Sequence, residues 1–215
     1  MVLPLDVVDY DAMPSAVASV IDAFGRIDLL INNAGLGARD FCLNISLDVY
    51  RTVWDVNVMG PIALTKQVLP VMIEQGSGHV AVTSSVAGKV GVPLRTAYCA
   101  AKHGVIGFFD ALRTEVAYHG VKVSCIIPGL VKTGAVANAL KGDGGEIGAD
   151  EGVMLEGLTA DEAAALILPK LARQVDEFVV GECDSSKMVE KKRENPIMIF
   201  RGLEQMAEQA LYSKG

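Results

Sequence analysis

Tyr98 and Lys102 stand four residues apart, Ser85 lies thirteen residues before Tyr98, and Asn57 lies further upstream. In a helix, side chains four apart share a face, so the Lys102 ammonium would sit beside the Tyr98 phenol. A phenol titrating near ~10 is a poor acid-base catalyst at neutral pH; an adjacent cation stabilises the phenolate and brings its pKa toward the working range. The Ser85 hydroxyl would hydrogen-bond a substrate oxygen as charge develops on it. Together these groups suit proton transfer coupled to hydride chemistry at a carbonyl or alcohol carbon. A Tyr-x-x-x-Lys spacing is common by chance, so its meaning depends on the scaffold.

The surrounding chain alternates strands and helices. Apolar residues at helical spacing predict a helix over 11–24, with Asp9 or Asp11 as N-cap and Gly25 just past its end. Asp28 to Asn32 reads as a buried strand, 47–74 as a long helical stretch interrupted near Gly60-Pro61, and His79 to Thr83 as a strand. A helix over 96–118 carries Tyr98 and Lys102, and the β-branched run 121–127 follows, ending at Pro128. Thr159 starts a helix to about Arg173, and Phe178-Val179-Val180 supplies a last strand. Such alternation predicts an α/β fold: a doubly wound, Rossmann-like parallel sheet with ligands beyond the carboxyl ends of its strands. The glycine-rich, acidic stretch 134–157 reads as a mobile loop.

Four clusters fall at or near those strand ends or in the helices: Asn32-Asn33-Ala34-Gly35, Asn57-Val58-Met59-Gly60, Thr83-Ser84-Ser85 and Pro128-Gly129-Leu130-Val131-Lys132-Thr133. In this order and spacing the chain resembles the short-chain dehydrogenase/reductase family. The resemblance implies an NAD(P)-dependent oxidoreductase that interconverts a carbonyl and a secondary alcohol. In that reading Tyr98 passes the proton, Ser85 binds the substrate oxygen, and Lys102 tunes Tyr98 and holds the cofactor ribose. The backbone of Asn57 would hold a relay water. Asp6 and Val7 on the adenine side, Asn33, Ala34 and Gly35 along the adenine ribose, and Pro128, Gly129, Val131 and Thr133 around the nicotinamide complete the implied cofactor site. Ser84 is the competitor of Ser85, and strand alternation allows only one of them to face the site.

The family normally opens with a strand, a Gly-rich Thr-Gly-x-x-x-Gly-x-Gly turn and a helix that hold the cofactor pyrophosphate. Here Val2 to Val7 resembles the family's third strand, so the expectation is one domain over 1–215 lacking its first two strand-helix units, roughly 60 residues. Those strands belong in the middle of the sheet, so the 29–31 strand is expected to become an exposed apolar edge. The residue that selects NAD or NADP ends the second strand, so the sequence does not distinguish the two.

Composition narrows the alternatives. A net charge of −7 and a pI near 5.0, with no Lys/Arg cluster, argue against a nucleic-acid surface. Cys42, Cys99, Cys125 and Cys183 form no Cys-x-x-Cys pair, and His79, His103 and His119 are not at ligand spacing; they read as reduced thiols and surface or helix-end histidines, with no metal. No apolar run approaches the ~20 residues of a membrane span, and the expectation is a cytoplasmic protein. By the resemblance, the 47–74 and 96–118 helices would form a homodimer or homotetramer. Val90 to Leu94 hint at a hydrophobic ketone or alcohol as the small-molecule substrate. Two other readings are a catalytically silent short chain that dimerises, and a sugar-nucleotide epimerase or dehydratase of the extended branch, against which the Asn32 to Gly35 form weighs.

Overall fold

The computed structural model describes residues 1–148, 157–181 and 184–212. In chain order the elements are α1 (Met13–Phe24), β1 (Leu29–Asn32), α2 (Leu47–Trp54), α3 (Gly60–Gln75), β2 (Gly78–Thr83), α4 (Thr96–Val116), β3 (Val121–Pro128), β4 (Val131–Lys132), β5 (Leu158–Thr159), α5 (Ala160–Ala172), β6 (Glu177–Val180), α6 (Asp184–Glu194) and α7 (Pro196–Tyr212). The main sheet is parallel in the order β1-β2-β3-β6, with Leu30 opposite Val80, Val80 opposite Val123 and Ile126 opposite Phe178. Alternation divides each strand between two cores. Val80, Val82, Val123 and Ile127 face α2, α3 and α4, whereas Ala81, Ile126, Phe178 and Val180 face Ala163 and Leu171 of α5. Helices therefore cover both faces, as expected of a doubly wound α/β fold.

The crossovers are set by local signals. Gly25 (φ 73°), Gly76 (φ 65°) and Gly120 (φ 73°) end α1, α3 and the turn after α4 in the left-handed conformation that lacks a penalty only for glycine. At Gly120 there is also no room: an added Cβ would collide with the Gly76 carbonyl oxygen. Gly120→Ala should therefore destabilise the protein by about 2 kcal/mol or more. Chemical denaturation checks this, and an unchanged midpoint would show that the two turns can separate freely. At the other end of the ladder, Thr159 and Glu162 form a reciprocal capping box at the start of α5.

Several expectations are corrected. Residues 2–7 form no strand: a strand is made by its ladder, and among the described residues none lies beside them. Asp6 instead closes a local turn, its carboxylate accepting from Val8 N at 3.1 Å, and Val7 packs against Gly60. Ala12, not an aspartate, is the N-cap of α1, while the Asp9 carboxylate accepts from Ala12 N. The helix over 47–74 is not broken at Gly60-Pro61; α2 and α3 run on through one π turn over Asp55–Met59. That stretch, Leu47–Gln75, is 29 residues and apolar enough by length and composition to cross a membrane, but Val49, Val53, Val68 and Met72 are core side chains. His79 is buried, not superficial, with Nε2 2.8 Å from the Ser124 hydroxyl. Of the cysteines, Cys99 and Cys125 are buried and Cys42 is exposed; Cys183 lies outside the described residues. The β1 strand does present a free edge, with Leu29 and Ile31 exposed.

Candidate active site

Helix α4 turns Ala97, Ala101, Val105, Phe109 and Leu112 into the core, which fixes the azimuth of the adjoining positions 98 and 102. Lys102 is only 3% exposed, yet its ammonium is provided for: Nζ donates to the Thr83 carbonyl oxygen at 2.8 Å. One residue on, the buried Ser84 hydroxyl donates to the Lys102 carbonyl oxygen at 2.9 Å. The carboxyl end of β2 is thus bolted to α4 through both ends of one residue. Ser84 is committed to that bolt. Ser85 is left as N-cap of a short 3-10 turn, its Oγ accepting from Ala87 N at 3.1 Å and acting on the Tyr98 phenol to lower its pKa.

Electrostatics here depart from the expectation drawn from spacing. Lys102 Nζ lies over the Tyr98 ring, 5.6 Å from its centroid. Burial pushes the phenol above its ordinary value of 10, and this outweighs the Ser85 hydroxyl and the positive charge of Arg95, which act the other way. Burial likewise pushes the Lys102 ammonium down, to about 8. In the protein alone, Tyr98 is therefore a neutral acid at pH 7, and the lysine does not make it a phenolate.

Two further segments close on the lysine. Asn57, 1% exposed within the π turn, is no surface asparagine: its Nδ2 donates to Leu36 O and Val53 O, both at 2.7 Å, and its Oδ1 accepts from Leu36 N at 3.3 Å. The side-chain amide thereby clamps the segment after β1. Pro61 carries no N–H, so the i+4 helical donor for the Asn57 carbonyl does not exist. Gly35 sits where a Cβ would lie 3.0 Å from Asn57 Oδ1 and 3.3 Å from Lys102 Nζ, and Asn33 Oδ1 accepts from the Thr83 hydroxyl at 2.9 Å. Asn33, Gly35, Asn57, Ser85, Tyr98 and Lys102 are thus brought together at the carboxyl ends of β1 and β2.

The remaining residues of the sequence reading lie elsewhere or beside this group. Pro128 ends β3, Gly129 N donates to Val180 O at 3.0 Å, Val131 pairs with Leu158 of β5, and the Thr133 hydroxyl accepts from Ala135 N at 3.3 Å. They occupy the carboxyl end of the neighbouring strand. No hydrogen bond joins them to Tyr98 or Lys102 among the described residues, and those of Asp6 are local. Sequence reasoning did not find the Thr83 carbonyl or Leu36, because a backbone acceptor has no signature in residue type. Among the described residues no group of three or more His, Cys, Asp or Glu side chains is placed to hold a metal ion.

The geometry also bears on a nicotinamide cofactor. The Lys102 ammonium spends one of its three donors on Thr83 and faces the Cβ-free side of Gly35, a pairing of buried donor and open backbone that fits a ribose diol. Among the described residues no Gly-rich strand-turn-helix for a pyrophosphate occurs.

A family model of the short chain dehydrogenases matches residues 1–143. A human relative, dehydrogenase/reductase SDR family member 7, is 40% identical over 183 residues, 85% of this chain; the chain spans about half of that relative's length, 54%. Among solved structures, a short-chain dehydrogenase from Streptomyces avermitilis aligns with a TM-score of 0.73 at 25% identity, covering 97% of this chain and 80% of that one. A short chain dehydrogenase/reductase from Burkholderia phymatum, crystallised in complex with NAD, aligns with a TM-score of 0.72 at 26% identity over 82% of this chain and 69% of its own. Motifs, sheet topology and matched length agree, and the chain belongs to the short-chain dehydrogenase/reductase family.

Proposed function

We propose that this chain carries the catalytic half of a nicotinamide-dependent oxidoreductase that interconverts a carbonyl and a secondary alcohol. The observation that carries the reading is the joint placement of Ser85, Tyr98 and Lys102: a hydroxyl near enough to the phenol to lower its pKa, with a buried ammonium over the phenol ring. The NAD in the Burkholderia phymatum relative supports a dinucleotide of this class, either NAD or NADP. A bound nicotinamide supplies or accepts the hydride. Ser85 and Tyr98 hold the substrate oxygen between two hydroxyl groups, and in the reductive direction the neutral Tyr98 phenol gives its proton to that oxygen as charge grows there. Lys102, fixed by Thr83, presents its remaining donors to the ribose and replenishes the proton through the water that the Asn57 carbonyl would hold. Val92 and Leu94, half-buried before α4, give the site an apolar side suited to a hydrophobic ketone or alcohol. Exposed Leu47, Trp54 and Met59 along α2 and the π turn supply apolar surface for pairing two copies through these helices and α4.

The test is a scan of the protein against apolar ketones and secondary alcohols, following NADH and NADPH at about 340 nm. Turnover with at least one ketone is expected. Tight cofactor binding with no turnover of any carbonyl or alcohol would favour the catalytically silent, dimerising alternative.

A further inference from the structure

The stretch after β4 is far from free in its described part. Leu140 N donates to Gly37 O and Arg39 N to Leu140 O, both at 2.9 Å, and Ser46 N donates to Gly142 O at 2.9 Å. Within the loop, Lys141 N donates to Gly145 O, Ile147 N to Ala139 O and Gly148 N to Ala137 O. Residues 137–148, part of the 134–157 stretch expected to be mobile, are thus tied to the segment after β1; residues 149–156 lie outside the described residues. Three loops meet here, those that follow β1, β2 and β4, and one residue touches all of them. Asp40, in the loop after β1, accepts on Oδ1 from Phe41 N (2.7 Å) and Asn44 Nδ2 (2.8 Å). Its Oδ2 accepts from Gly142 N of the β4 loop at 3.3 Å. Its own N donates at 3.0 Å to the carbonyl of Leu94 in the β2 loop.

Both contacts across the loops are made at positions with little freedom. Leu94 has φ 64°, a left-handed conformation that costs a bulky residue roughly 1–2 kcal/mol and persists only where the surroundings impose it. Gly142 has no space for a side chain: a Cβ would lie 2.5 Å from Asn44 O and 2.7 Å from Asp40 Oδ2. Leu94 is also one residue from the start of Tyr98's helix, since Arg95 is the N-cap of α4 and its carbonyl accepts from Cys99 N at 2.7 Å. Val92 N is held in turn by Cys99 Sγ at 3.4 Å.

We propose that Asp40 is a positioning residue that clasps the loops after β1, β2 and β4 into one wall beside Tyr98: its carboxylate holds Gly142 N and the 41–44 turn, and so sets the backbone N–H that reaches Leu94 O. The clasp acts through Leu94 and Gly142 and touches neither the proton donor nor the ammonium. Its internal donors hold the carboxyl below its ordinary range, the Asn44 amide contributing most, then Phe41 N and Gly142 N, so the carboxylate stays charged and committed at neutral pH. This inference rests on the oxidoreductase reading for its kinetic consequence, and on geometry alone for the coupling of the loops.

The experiment compares wild type, Asp40→Ala and Gly142→Ala by amide hydrogen exchange and by steady-state kinetics with the best ketone found. In both variants exchange should quicken by about tenfold in 92–95 and 137–148 together, with KM raised about tenfold, kcat changed less than about threefold and cofactor affinity unchanged. Faster exchange confined to 40–46, or a fall of kcat at unchanged KM, overturns the proposal. If the wild-type protein turns over no substrate, the oxidoreductase reading fails; exchange across the two distant loops then decides the clasp by itself, faster exchange in both supporting it and no change overturning it.

Discussion

Tyr98→Phe should lower kcat by about 10²–10⁴-fold while leaving the fold and cofactor affinity within about twofold of wild type, the range expected when a positioned general acid is removed. The structure gives the reason for so clean a separation. The substitution deletes one hydroxyl, whose neighbour Ser85 keeps its hydrogen bond from Ala87 N. Nothing in the bolt between Thr83, Ser84 and Lys102 involves the phenol oxygen. Because burial holds the phenol above its ordinary value, the two directions of reaction should also differ with pH. Carbonyl reduction needs the neutral phenol and should stay level through neutral pH, whereas alcohol oxidation needs the phenolate and should climb on the alkaline side. Stopped-flow rates in both directions from about pH 6 to about 10 check this. A Tyr98→Phe variant retaining more than about a tenth of wild-type turnover would remove Tyr98 from the chemistry.

The second large effect is on stability. Lys102 titrates near 8 in the folded protein, against 10.5 for a free lysine. Between these values the unfolded chain holds a proton that the folded chain has released, so the contribution of this group to stability rises with pH and is complete only above about 10.5. Below pH 8 the buried charge costs about 3 kcal/mol relative to that limit. Lys102→Met removes the titration. Measured by denaturant unfolding without cofactor, wild type should gain about 3 kcal/mol on the variant between about pH 7 and about pH 11. Other groups, such as the Cys125 thiol that burial pushes up to about 11, titrate in both proteins and cancel in the difference. Parallel pH curves would mean that solvent reaches Nζ and that the lysine is not buried in solution. The same variant should lose most turnover, since the ribose-facing ammonium and the route for proton return disappear together.

Much of the fold and of the site was legible from residue type because periodicity is a local property. Leu29 to Ile31, 79–83 and 121–127 are strands because β-branched and apolar runs suit a sheet buried on both faces, and Gly25 ends α1 because only glycine adopts its φ without strain. The four-residue step from Tyr98 to Lys102 is likewise a helical repeat that can be counted directly along the chain.

What stayed open depended on contacts between distant segments. The Val2 to Val7 run has strand-like composition, yet no strand forms, since hydrogen bonds to a neighbour make a strand and composition does not. Gly60-Pro61 carries a helix breaker, yet the helix continues, because a π turn shifts the bonding by one residue. Helical spacing paired Lys102 with Tyr98, but only the fold supplies the Thr83 carbonyl that holds the ammonium and the burial that shifts both groups away from ionisation. Residue order alone dictates most of the strands and helices and names the side chains able to do chemistry. Charge states, the commitment of Ser84 and the fastening of the loops at Asp40 arise only once the chain is folded. They come from desolvation and from backbone acceptors brought together across the sheet, and neither is encoded in any local run of residues.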